Sequence, residues 1–302
     1  MNSIERKSYK GSPKFLNPKK MKEVAEKILS FLEANFKDGF NERSFYGETF
    51  TAATLEILKK DKEFKKELLA SFRKKEIDNP SHHQEFNLYA LQYMVPDINL
   101  KFEKSFLRKV SNWILLRSLV RIRSRKQFEK FKGIIQAKII LIFNRHHGYF
   151  TDNTLRSIYK RKSSVSSQYH IFATMLVGEI YEETNNKFFK KEFLEGLNLS
   201  IKEVDDKGEA IRLGRGQKQI FGYAALLYSL ALAYKITGEE KYLENFQKVF
   251  DYVKSYQLDS GRIPLVLTKQ VPSKYIYTYN NLFDYLPFLA FQLTKSYNII
   301  SE

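Results

Sequence analysis

Three of the five histidines in this 302-residue chain fall within one short stretch. It opens with Asn144-Arg145-His146-His147-Gly148-Tyr149-Phe150-Thr151-Asp152-Asn153. It closes with Arg161-Lys162-Ser163-Ser164-Val165-Ser166-Ser167-Gln168-Tyr169-His170. Histidine titrates near neutrality and tyrosine can give up a proton, so the group suits general acid–base chemistry. His146, His147, Tyr169 and His170 are the candidate catalytic residues. Asn144, Asp152, Arg161 and Lys162 are candidate substrate ligands beside them. The plainer alternative makes His170 a buried, hydrogen-bonded core residue and His146-His147 an exposed turn.

A second group lies in the run Gly208 to Gln219. Gly214 and Gly216 flex a basic loop that leads into an apolar helix, and Arg212 and Arg215 could there grip a carboxylate, sulfate or phosphate. A helix N-terminus also attracts anions. No strand precedes the glycines, so they do not read as a nucleotide-binding loop. A third group is aromatic, Tyr275 to Tyr285, in which Tyr277 and Asn280 could contact a sugar ring and its hydroxyls. Hydrolysis of a glycosidic bond would need two carboxyl groups across the sugar. Glu85, Asp152, Glu209, Asp259 and Asp284 are candidates that sequence spacing alone cannot pair. His82-His83 with Glu85 is not a zinc-protease pattern, because helical ligands would recur at i and i+4. No metal or cofactor is expected.

These residues must be positioned by helices. Apolar positions recur at helical spacing from Lys19 onward, as in Val24, Ile28, Phe31 and Leu32. Apolar, aromatic-rich segments run over Phe86 to Met94, Ser167 to Tyr181 and Phe221 to Tyr234. Each is followed by a short polar turn and a more charged helix, a repeat of roughly 50–65 residues. In such a unit the small, apolar helix faces inward and the charged helix faces water. The fold expected is all-α: about eleven helices in antiparallel hairpins, arranged as an (α/α) toroid or an incomplete one. Ile263 to Leu267 is the one stretch that reads as extended. The expected organisation is a loose basic leader over 1–17 and one toroid domain over 18–302. The connections ahead of the inner helices, above all 144–170 and 208–219, are where function is expected.

The stretch His147 to Tyr181 resembles the helical toroid domains of alginate lyases and heparinase II/III-type polysaccharide lyases. Alginate lyases carry Asn-Asn-His-Gly, then an aromatic and Asp, then Arg and Tyr. Here His147-Gly148, Phe150 and Asp152 stand at matching spacing, Tyr169 lies downstream with Arg161 or Lys162 before it, and the family's Arg position falls on Lys162. Tyr169-His170 is similar to the Tyr-His pair that opens an inner helix in heparinase-like proteins. His146 replaces the family's Asn, and Asn144 is displaced from it by two positions. The resemblance implies β-elimination from a uronic acid. Arg, Lys, Asn or a protonated His would neutralise the carboxylate, and His147 or Tyr169 would take the C5 proton.

Composition bears on partners. The formal net charge is +17, from 51 Lys and Arg against 34 Asp and Glu. That excess suits an anionic partner. An acidic, uronate-containing polysaccharide is the first expectation, bound in a central cleft and cleaved by elimination or hydrolysis. The second is a non-catalytic scaffold on an anionic membrane surface, for which Lys101 to Lys132 supplies eleven basic residues and two acids interleaved with apolar ones. Nucleic acid ranks below both, since no RNA-binding signature accompanies the charge. There is no cysteine. Met1 to Lys20 has no apolar core of a signal peptide, and stretches such as Ile139 to Phe143 are too short to span a bilayer. A cytoplasmic location, with membrane association as a variant, is the expectation.

Overall fold

The computed structural model describes residues 17–40, 44–78, 84–95, 110–152, 165–268 and 281–302. Except for Asn17, the leader expected over 1–17 lies outside them. The helices are α1 (Pro18–Ala34), α2 (Gly47–Leu58), α3 (Lys62–Asp78), α4 (Gln84–Leu91), α5 (Ser111–Ile122), α6 (Gln127–Phe143), α7 (Ser167–Thr184), α8 (Lys187–Ile201), α9 (Ile220–Thr237), α10 (Glu240–Lys254) and α11 (Leu282–Ser301). A two-stranded hairpin, β1 (Arg145–His146) and β2 (Tyr149–Phe150), separates α6 from α7.

Local chemistry sets the helix ends. Asn17, Ser166, Asn186 and Asn281 each accept a backbone N–H in the first turn of the helix that follows, and Pro18 opens α1. Lys59, Asn185 and Gly238 close α2, α7 and α9 in the left-handed conformation. The contrast between α9 and α10 then determines layering. Every residue from Ile220 to Ala233 is buried, whereas α10 buries only one stripe, Tyr242, Leu243, Phe246, Val249, Phe250 and Val253. A helix apolar all round must be covered all round. The run Ile220–Thr237 has the length and mean hydropathy, 1.4, to cross a bilayer, yet 78% of it is buried inside this protein.

The inner helices close a ring. α2 packs on α4, α4 on α5, α5 on α7, α7 on α9, α9 on α11, and α11 back on α2. Outside them, α3 covers α2, α6 covers α5, α8 covers α7, α10 covers α9 and α1 covers α11. The fold is an (α/α) toroid. Its axis is filled: Phe50, Phe86, Phe172, Phe221 and Phe288, from five different inner helices, meet with centroid distances of 5.2 Å for Phe50–Phe288, 5.5 Å for Phe86–Phe172, 4.8 Å for Phe172–Phe221 and 4.6 Å for Phe221–Phe288. Burying each such ring contributes about 2–3 kcal/mol. Seven residues further along three of these helices, about 10 Å, stand Glu179, Tyr228 and Lys295. The axis therefore has an aromatic layer with an ionic layer beyond it. The extended stretch expected at Ile263 to Leu267 appears as one bridge, Val266 against Gln219.

Candidate functional site

The N-terminal ends of the inner helices form one rim of the toroid, and the loop between α8 and α9 lies across it. Leu213 O accepts from Ser167 N at 3.0 Å, and Leu213 N donates to Ser167 Oγ at 3.0 Å. Ser166 Oγ donates to Arg215 O at 2.6 Å. The approach is close because of two glycines. A Cβ on Gly214, at φ +68°, would sit 2.2 Å from Val165 O, and one on Gly216 2.3 Å from Gln168 Nε2. Only glycine fits both the conformation and the contact.

This clamp carries Arg215 onto two groups foreseen in the sequence. Its guanidinium lies 4.6 Å from the Tyr169 ring centroid and pairs with the Asp152 carboxylate. Asp152 is 4% exposed at its side chain, Arg215 42%. Burial pushes the Asp152 carboxyl above the usual carboxylate range, and Arg215 only partly offsets it. Beneath them Gln168 Nε2 donates to Gln219 Oε1 at 3.3 Å, both side chains being buried. Gln168 Oε1 is buried with no partner.

The histidines are placed differently. His147 (φ +49°) and Gly148 (φ +83°) form the two-residue turn of the hairpin, as its twist demands. His146 and His147 are exposed, their rings 4.2 Å apart. The hairpin lies against the outer helix α8: Arg145 pairs with Glu192 and Glu195, and a Cβ on Gly148 would meet Leu199 at 2.9 Å. His170 is fully buried; its Nδ1 accepts from Phe150 N at 2.9 Å and its Nε2 lies 3.0 Å from Gly196 O. Burial lowers its pKa to about 4, so it stays neutral and pins the hairpin to α7 and α8. Asn144 is buried at the end of α6, its Oδ1 accepting from Thr151 Oγ1 at 3.1 Å. Arg212 faces away from Arg215's partners and pairs with Asp205 and Glu209. Tyr169, Arg215 and Asp152 thus come together, while His146, His147 and Arg212 are held elsewhere. Arg161, Lys162, Tyr277 and Asn280 lie outside the described residues.

Two further carboxylates occupy the same rim. Glu85 is held by Arg117 Nε at 3.0 Å and by Arg117 Nη2. Asp284 Oδ1 accepts from the backbone of Phe45, Tyr46 and Gly47 at 2.8–3.1 Å and from Ser44 Oγ, capping α2 from the first turn of α11. Burial nevertheless raises its pKa to about 7, against the pull of those N–H groups. Sequence reading named both acids but neither partner. The sequence signals the ionic layer only through the seven-residue step from Phe172, Phe221 and Phe288 to Glu179, Tyr228 and Lys295.

No protein family matches the sequence, and no curated protein does. Among solved structures the fold is similar to a possible GH105-family protein from Salmonella enterica, with TM-score 0.69 at 8% identity over 99% of each chain. It is similar to an unsaturated glucuronyl hydrolase specific for heparin, with TM-score 0.66 at 13% identity over 94% of this chain and 98% of the other. A polysaccharide lyase superposes with TM-score 0.65 at 10% identity over 93% and 97%. At such identities the likeness is one of fold: a toroid architecture found in glycoside hydrolases and in a polysaccharide lyase.

Proposed function

We propose that this protein binds an acidic glycan at the N-terminal rim of the toroid and cleaves it, with Asp152 as proton donor and Arg215 and Tyr169 holding the sugar. The observation that carries this reading is the meeting of Asp152, Arg215 and Tyr169 across three separate chain segments. Burial raises the Asp152 carboxyl and Arg215 holds it down. An anionic sugar group that shares Arg215 weakens that hold, so the arriving substrate promotes protonation of the acid that must protonate the leaving oxygen. Arg215, 42% exposed at its side chain, is the group of the three that an arriving sugar would meet first. The heparin-specific and polysaccharide-cleaving structures that share this fold support a glycan as substrate class.

A β-elimination reading draws on one contact, the Arg215 guanidinium over the Tyr169 ring. In it the Tyr169 phenol oxygen would take the C5 proton and Arg215 would neutralise the uronate carboxylate. Incubation with uronate-containing and neutral oligosaccharides separates the readings. Hydrolysis gives new reducing ends without the absorbance of an unsaturated uronate, and elimination gives both. Asp152→Asn is expected to lower hydrolysis at least about 100-fold while glycan binding persists. No binding and no cleavage across the panel would end the carbohydrate reading.

A further inference from the structure

The outer helices of the toroid do not treat water alike. The exposed residues of α10 are charged: Glu240, Lys241, Glu244, Lys248 and Asp251. The exposed residues of α6 include Phe128, Phe131, Ile135, Ile139, Ile142 and Phe143, each between 40 and 67% exposed. They recur at three-, four- and seven-residue spacing and form one stripe along the whole helix. The opposite face, Gly133, Ala137, Ile140 and Leu141, is buried, and α6 packs on α5. A Cβ on Gly133 would come within 2.6 Å of Ser118 O, so the helix is seated too closely on α5 to roll its stripe inward. The stripe exposes on the order of 500 Å² of apolar surface, the size of patch that on monomers marks an interaction site.

Charge borders the stripe. Lys132 lies on one side of it, its Nζ 4.0 Å from the Phe128 ring centroid, and Lys138 on the other, 6.0 Å from the Phe188 ring of α8. The one acid of α6, Glu129, is tied to Lys132 and Arg121. An apolar stripe with lysines along both edges fits the plane of an anionic bilayer: the rings and branched chains enter the boundary of headgroups and acyl chains, and the lysine stems reach back to lipid phosphates. A second copy fits it poorly, because two such stripes face to face would bring lysine edges together. We infer that α6 is an in-plane anchor for anionic lipid membranes, on a face built by different residues from the rim that holds Asp152 and Arg215.

Flotation of the full chain with vesicles tests this. Phosphatidylcholine vesicles, with and without phosphatidylglycerol, are compared at low and high salt. The protein should float with the anionic vesicles and lose most of that binding in high salt. Phe128→Ser with Phe131→Ser should weaken it at least about tenfold. Lys132→Glu with Lys138→Glu should abolish the preference for anionic lipid. Because Phe128 and Phe131 are exposed, the thermal midpoint of their double variant should match that of the parent, while the lysine variant, which also breaks the Lys132–Glu129 pair, should melt only slightly lower. No flotation with anionic vesicles overturns the inference, as does flotation that the stripe variants leave unchanged. A dimer in sedimentation that Phe128→Ser with Phe131→Ser converts to monomer would overturn it in favour of a second copy.

Discussion

At the far end of the ring, Glu179 accepts from Tyr89 Oη at 2.6 Å, from Arg123 Nη2 at 2.7 Å and from Lys295 Nζ. Lys295 in turn lies 3.7 Å from the Tyr228 ring centroid. At the rim, Asp152 has Arg215 and Asp284 has the N-terminus of α2. Both ends bury carboxylates, and burial pushes all three upward. At Glu179 two cations and a phenol overcome it and the pKa falls below the carboxylate range. At Asp152 and Asp284 it prevails. One end holds a fixed charge that ties α4, α5, α7 and α11 together. The other holds acids that burial pushes upward, Asp284 to about 7 and Asp152 in the same direction, which is the direction a proton donor requires.

The largest effect should come from breaking the fixed end. Glu179→Gln keeps the shape and leaves Lys295 and Arg123 buried beside a neutral amide. Removing one partner of a buried ionic group costs about 3–5 kcal/mol, read as a lowered urea midpoint with unchanged slope. A loss below about 1 kcal/mol would mean that the two ends do not differ as described. The pH trend has a definite sign. A depressed carboxyl contributes stability that is present above its unfolded pKa and disappears as pH falls through its folded one. Glu179 therefore matters least in acid.

Asp284 should behave oppositely. Its folded pKa, about 7, stands above the unfolded value of about 3.9. The folded chain binds more protons between those values, so stability falls as pH rises from about 4 to 7, by roughly 3–4 kcal/mol from this group at most. Asp284→Asn keeps the oxygen that accepts from Phe45, Tyr46 and Gly47 and removes the charge. The variant's unfolding free energy should rise relative to the parent's over that window, on top of the increase that both share from His170, whose lowered pKa of about 4 favours the folded chain as pH climbs. Parallel curves would show that the cap keeps Asp284 ionised.

How much of this could be read beforehand follows from the range of each interaction. The toroid was legible because period and turns are local: the all-apolar run of α9 and the one-sided stripe of α10 each state their layer without reference to another helix. The meeting of Tyr169 and Arg215 was half legible, since both stand at the head of an apolar helix. Asp152 was placed among possible ligands, but its pairing with Arg215 depends on a loop that only Gly214 and Gly216 allow to descend onto α7. The ionic layer depends on the register of four helices around one axis. No single segment encodes that register, so by itself Glu179 reads as one more acid on a helix.

The smallest effect concerns His147, which stood first among the candidate bases. Its φ of +49° is strained for a side-chain-bearing residue, and it is exposed at the turn of a hairpin that lies against α8. His147→Gly suits an Asn-Gly-type hairpin turn better than histidine does. It should cost no more than a few tenths of a kcal/mol, because relief of the strained φ offsets the greater freedom of glycine in the unfolded chain. Glycan cleavage should stay within about twofold of the parent, in contrast to Asp152→Asn. A tenfold fall, about 1.4 kcal/mol in barrier, in a protein that still melts at the parent's temperature would return His147 to the chemistry. It would also mean that the hairpin folds over the rim when substrate is bound. Comparing the two variants therefore separates a site confined to the heads of α7 and α9 from one that extends to the hairpin tip.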